Sequence, residues 1–290
     1  MPFVAMYAGG SIWRNYEGLL GANLNYVNLN SLHIGADGSL ALNETPLIDA
    51  AGNPTQWATK LAGIIKQLKG SGVQLVLLSI GGGVARPPDP NGINSEHSAS
   101  DDDGRNFCAL YFGQGGMTGN LTNDVPILGR LRTLLGVTGA DGFDLDFEPN
   151  FYTYEGLASA ILTLSEWLGM TSGNIFTWMP LTSQSSFAGM ASMLHGAGGG
   201  VISWAHLQPS AWHTPADVAS WGTALQIGSP NVMIGFNGDA PKTMQASIAT
   251  VVTSGTQIYG AYFWNYDFIM HQPVANYVAA MQRGLSGIMP

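Results

Sequence analysis

The chain has one cysteine, Cys108, among 290 residues, so no internal disulfide can form and nothing in the fold relies on an oxidising compartment. Beside Phe107 and Ala109, that cysteine reads as a small hydrophobe. Charge is scarce as well. Asp, Glu, Lys and Arg make up 10% of the residues, and 10 Lys and Arg against 19 Asp and Glu leave a net charge of −9. Such a surface repels a phosphate backbone, which excludes nucleic acid as the expected partner and favours a neutral or cationic one. No apolar run approaches the roughly 20 residues of a membrane helix, so no membrane insertion is expected. The opening Met1 to Tyr7 lacks the basic start, apolar core and small-residue cleavage site of a signal peptide. A mature terminus, another export route and an intracellular protein all stay open on that ground. The many Gly (39), Asn, Ser and Thr with few charges suit an exported protein, and an extracellular location is the expectation.

Several kinds of chemistry lack their residues. The histidines His33, His97, His195, His206, His213 and His271 show no zinc spacing. Gly81-Gly82-Gly83 and Gly198-Gly199-Gly200 lack the lysine of a phosphate loop, and no Gly-x-Ser-x-Gly elbow is present. No metal and no cofactor are expected.

What the chain does have is alternation. Short apolar runs at Phe3 to Tyr7, Tyr26 to Leu32, Gln74 to Ile80, Gly142 to Phe147, Ile175 to Met179, Ile202 to Gln208, Val232 to Phe236 and Tyr259 to Asn265 read as eight strands. Helical patterns intervene at Thr55 to Lys69, Ile127 to Leu135, Tyr154 to Gly169, Phe187 to Gly196, Pro215 to Ile227, Thr243 to Ser254 and Pro273 to Arg283. Eight strands alternating with helices predict an α/β fold, a (β/α)8 TIM barrel occupying residues 1–290 as a single domain, and a monomer is expected. Gly83 to Asp124 reads as irregular chain over the carboxyl mouth, with Asp101-Asp102-Asp103 as a solvated loop.

The most informative run is Asp141-Gly142-Phe143-Asp144-Leu145-Asp146-Phe147-Glu148. Successive strand side chains point to opposite faces, so Asp144, Asp146 and Glu148 form a column about 6 to 7 Å apart while Phe143, Leu145 and Phe147 pack the other way. Repulsion within the column favours retention of at least one proton, and a protonated carboxyl beside an ionised one is what glycosidic cleavage requires. A calcium loop has the same first spacings. Here Asn150 stands where its glycine belongs, and no closing glutamate follows.

The chain resembles the family 18 glycoside hydrolases, the chitinases and endo-β-N-acetylglucosaminidases. Asp141, Asp144, Asp146 and Glu148 match all four positions of the motif Asp-x-x-Asp-x-Asp-x-Glu that ends their fourth strand. Ser79-Ile80-Gly81-Gly82 is similar to the Ser-x-Gly-Gly that ends their third, and Gly260-Ala261-Tyr262-Phe263-Trp264 to their eighth. The resemblance implies a substrate-assisted retaining mechanism, an exception to the two-carboxylate scheme. In it Glu148 is the general acid and base, Asp146 orients the substrate's 2-acetamido group, and Asp144 shares a proton with Asp146; Asp141, off the alternating face of the strand, reads as structural support. It also implies that Trp264 lies under the sugar and that Tyr7, Ser79, Gly81, Gly82, Met179, Gln208 and Tyr262 are substrate contacts. Trp13, Trp178, Trp204, Trp212 and Tyr266 are weaker candidates.

One departure stands out. The family's sixth strand carries a tyrosine whose hydroxyl holds the acetamido oxygen, whereas this chain reads Trp204-Ala205-His206-Leu207-Gln208-Pro209-Ser210. Gln208 is the nearest donor in sequence, with Tyr262 and Tyr266 as alternatives from the eighth strand. The implied substrate is a carbohydrate: chitin, or the chitobiose core of N-linked glycans, with a non-catalytic lectin on the same barrel as the competing reading.

Overall fold

The structure is a computed structural model that describes residues 2–82, 99–113, 126–146, 164–165, 167, 175–180, 184–196, 202–209, 213–269 and 272–290. Among the described residues ten strands form one sheet: β1 (Phe3–Ala8), β2 (Tyr26–Ile34), β3 (Leu40–Leu42), β4 (Thr45–Ile48), β5 (Leu75–Gly81), β6 (Gly142–Asp146), β7 (Ile175–Trp178), β8 (Trp204–Leu207), β9 (Val232–Asn237) and β10 (Gly260–Trp264). Eight of them pair in parallel in the order β1-β10-β9-β8-β7-β6-β5-β2, and a further β1–β2 pairing closes the barrel. This is the (β/α)8 barrel that the alternating pattern predicts. The strands are buried on both faces, which is why they read as nearly continuous apolar runs.

Besides the short α1 (Ile12–Asn15) and α8 (Tyr266–Ile269), helices cover the outside through apolar stripes at helical spacing. In α2 (Gln56–Gly70), Ala58, Leu61, Ile64, Ile65 and Leu68 are buried, and the Thr55 side chain caps its start by accepting the Trp57 N–H. The helices α5 (Gln184–Gly196), α6 (Pro215–Ala224), α7 (Pro241–Thr253) and α9 (Val274–Leu285) fall where their patterns place them. Thr214 and Asp217 close a reciprocal capping box at the start of α6. The predicted helix at Tyr154 to Gly169 lies outside the described residues, except for Leu164, Ser165 and Trp167.

Two features depart from expectation. A hairpin, β3 and β4, extends β2 beyond the barrel, turning at Asn43 with φ of 53°. Its strands are short and Pro46 sits in one of them, which hides the period-2 signal. The stretch read as irregular contains α3 (Ala99–Gly113), preceding α4 (Pro126–Thr138). Asp103, Phe107 and Tyr111 recur every fourth residue along α3, and all three are buried. The first position of that stripe is an aspartate, so an apolar pattern cannot reveal it. Asp103 is therefore not part of a solvated loop. Its carboxylate accepts the Ile34 N–H at 2.6 Å and lies 2.9 Å from His33 Nδ1, while Asn106 donates to the Ile34 carbonyl at 2.7 Å, docking α3 on β2.

The barrel interior is graded. Near the amino ends of the strands Phe3, Tyr259 and Trp204 stack, with centroids 4.9 Å and 4.7 Å apart in successive pairs, and form an apolar floor. Polar side chains collect toward the carboxyl ends.

Candidate active site

Strand β6 turns Asp144 and Asp146 inward and Phe143 and Leu145 outward into the main core. Its neighbours in register supply partners. Asp144 lies between Ser79 of β5 and Thr177 of β7, and Asp146 lies beside Gly81. Asp144 is completely buried and takes four donors. The Tyr7 and Ser79 hydroxyls donate to Oδ2 at 2.9 and 2.8 Å, while the Thr177 hydroxyl and His206 Nδ1, the latter at 3.2 Å, approach Oδ1.

An ionised carboxylate offers about four lone-pair sites, so these donors use its accepting capacity. Burial pushes the Asp144 carboxyl up, and the hydrogen bonds from His206, Thr177 and Ser79 draw it below the ordinary aspartate value. Burial, reinforced by the charge of Asp144, pushes the Tyr7 phenol well up, so Tyr7 remains an O–H donor across the working pH range. Asp144 is thus favoured as a carboxylate by the donors around it. The sequence shows the acids but not the donors that neighbouring strands bring to Asp144.

Asp146 is buried above it. Gln208 Nε2 donates to Asp146 Oδ1 at 3.1 Å, and the Gly82 N–H donates to the Asp146 carbonyl at 2.7 Å. Gly82 has φ of 85°, and a Cβ there would lie 2.7 Å from Ser31 Oγ and 3.1 Å from Asp146 Oδ2. The glycine pair therefore lets the β5 backbone close on the acid column, which gives the Ser-x-Gly-Gly run its physical reason.

No family model matches the chain, and no curated protein matches it in sequence. Solved structures do match over nearly the whole length. The catalytic domain of a family GH18 chitinase from the fern Peteris ryukyuensis is 16% identical with a TM-score of 0.63, covering 97% of this chain and 98% of its own. A family GH18 chitinase from Cycas revoluta, in complex with allosamidin, is 13% identical with a TM-score of 0.61, covering 96% and 98%. The chitinase-like agglutinin RobpsCRA from Robinia pseudoacacia is 9% identical with a TM-score of 0.62, covering 97% and 98%. The chain has the fold of the family 18 chitinases.

On this chitinase fold the remaining candidates divide by burial. Trp264 at the end of β10 is partly exposed, and its ring lies against Tyr7 with centroids 4.8 Å apart. Gln208 is also partly exposed. Tyr7, Ser79, Met179 and Tyr262 are fully buried. The Tyr262 hydroxyl donates to the Leu207 carbonyl at 2.5 Å, in space that exists because Gly235 has no side chain there. The Tyr266 hydroxyl donates to the Asn15 carbonyl at 2.6 Å. Both tyrosine hydroxyls thus donate to backbone carbonyls, and Gln208 is a donor that reaches Asp146.

Trp178 is buried in the outer core with Nε1 donating to Ser165 Oγ at 2.8 Å, and Trp204 belongs to the floor. Trp13 packs against Trp57 and the core. Asp141 lies off the column, where its carboxylate meets Lys69 Nζ at 2.7 Å and accepts the Val76 N–H at 2.8 Å, tying the end of α2 to the foot of β5. Glu148 and Trp212 lie outside the described residues. Thr177 escaped sequence reasoning. Its signal was its inward parity on the strand next to Asp144, which becomes informative only once the register is known.

Proposed function

We propose that the protein is a glycoside hydrolase that cleaves β-1,4 bonds of N-acetylglucosamine polymers by a substrate-assisted retaining mechanism. The observation that carries this reading is the Asp144–Asp146 pair, in register with Ser79 and Gly81, on the inward face of β6 in a chitinase-fold barrel. Active sites of such barrels gather at the carboxyl ends of the strands, where β6 delivers these acids.

Glu148 donates its proton to the glycosidic oxygen as the bond from that oxygen to C1 breaks. The substrate's 2-acetamido carbonyl oxygen attacks C1 from the other face and forms an oxazolinium ion, so the protein supplies no nucleophile. Asp146 faces the acetamido N–H and balances the positive charge that develops there. Water then attacks C1, returns a proton to Glu148 and opens the ring with retained configuration. Gln208 takes the place of the family's tyrosine by donating from the sixth strand at the edge of Asp146, and Trp264, partly exposed above Tyr7, offers an aromatic face to the pyranose. Action outside the cell fits a polymeric substrate.

A second reading, binding of chitin oligosaccharide without cleavage, is favoured by one observation: a chitinase-like agglutinin shares this fold over nearly its whole length. The presence of Glu148 and of both aspartates weighs for cleavage. The test is to incubate the wild type and Glu148→Gln with chitin oligomers and, separately, with a high-mannose glycopeptide, and to follow products by mass spectrometry. Cleavage of the oligomers by wild type alone is expected. Cleavage of the glycopeptide instead reassigns the substrate to the N-glycan core, and binding without cleavage by either form supports the lectin.

A further inference from the structure

Trp204 and His206 lie next to each other on the inward face of β8, two residues apart, and both are buried. Trp204 Nε1 lies 3.0 Å from His206 Nε2. An indole N–H can only donate, so His206 Nε2 must accept and carries no proton. The imidazole is then neutral with its proton on Nδ1, and that nitrogen is the one 3.2 Å from Asp144 Oδ1. Three tyrosines box the ring. Tyr26 stacks on it with centroids 5.6 Å apart, while Tyr7 and Tyr262 meet it edge to face at 5.6 and 5.3 Å.

Building on the proposed hydrolase, we infer that His206, locked by Trp204 as the Nδ1–H tautomer, is a positioning residue that keeps Asp144 an anion and so leaves the proton of the acid column to Asp146 and Glu148. The chain runs one way: indole N–H to imidazole Nε2, imidazole Nδ1–H to carboxylate. Reversing either link would leave a buried donor facing a donor or an acceptor facing an acceptor, which the dry interior penalises. The titratable groups around this chain are few. Tyr7, Tyr26 and Tyr262 face the ring from β1, β2 and β10, and burial together with the Asp144 charge holds Tyr7 and Tyr26 neutral. Asp144 is the carboxylate in contact with the ring, and Asp146 follows it on the same strand.

The role differs from packing in its consequences. Without the fourth donor, Asp144 regains a lone pair on which a proton can settle, and the column then carries one proton more at a given pH. The acid limb of the pH–rate profile therefore moves to higher pH when the Nδ1–H is lost, while a donor placed where Nδ1 stood restores it.

Two measurements test this. The first needs no activity: a nitrogen-15 spectrum of the histidine-labelled protein is expected to show His206 with Nδ1 protonated and Nε2 bare. A protonated Nε2 overturns the inference whatever the protein does. The second compares the pH profiles of chitin-oligomer cleavage for wild type, His206→Leu and His206→Asn, each checked for folding by its melting transition. The acid limb of His206→Leu is expected to rise by about one pH unit or more, roughly tenfold in proton affinity, with His206→Asn close to wild type. An unmoved limb in a folded His206→Leu, with activity merely scaled down, reduces His206 to packing. If wild type cleaves nothing, the hydrolase reading fails, and the nitrogen-15 spectrum alone decides the tautomer.

Discussion

His206 Nδ1 lies 3.2 Å from Asp144 Oδ1, with both side chains fully buried inside the barrel. The contact joins the sixth barrel strand to the fourth through the interior. The acid motif alone does not reveal it, because the imidazole comes from β8, two residues before Gln208.

Gln208 is the next test of that strand. Its amide donates to Asp146 Oδ1 at 3.1 Å and is partly open to solvent. Replacing Gln208 with Ala is expected to lower kcat/KM for chitin oligomers by about 10²-fold, the usual cost of losing one donor aimed at developing charge, with little change in the melting temperature. Steady-state kinetics beside a thermal scan check this. An unchanged kcat/KM would remove Gln208 from the site.

Stability should fall with acid in two stages. Burial holds the His213 imidazole below the ordinary histidine value, so the unfolded chain binds the proton first. Stability conferred by its neutral form is present above the unfolded pKa of about 6.5 and is lost as pH falls through the lower folded value. The depressed carboxyls of Asp144 and Asp217 act further down: their contribution is present above about pH 4 and is lost as pH falls through their folded values. Urea titrations across this range should show both stages, and His213→Asn should remove the upper one only.

The docking of α3 rests on Asp103. Replacing it with Ala leaves the Ile34 N–H, which it accepts at 2.6 Å, buried and unpaired. A loss of about 1 to 3 kcal/mol is expected in chemical denaturation, the ordinary penalty for such a group. A loss within error would show that α3 is held by Phe107 and Tyr111 without it.

The barrel was legible because parallel strands buried on both faces write themselves as apolar runs, and the acid column because Asp144 and Asp146 alternate with Phe143 and Leu145. What escaped was tertiary. The α3 stripe begins with a buried aspartate that satisfies a backbone group on β2. The donors to Asp144 come from Tyr7, Ser79, Thr177 and His206 on four other strands, and only the register brings them together. The same holds for Tyr262, whose hydroxyl donates to the Leu207 carbonyl.

Substrate-assisted retention and direct attack by water are told apart by proton NMR of the anomeric signals during the first minutes of chitin-oligomer cleavage. Attack by the acetamido oxygen and then by water inverts C1 twice, so the first product to appear must be the β anomer, with the α form growing in only by mutarotation. An α anomer from the start would mean direct attack by water and would contradict the proposed mechanism.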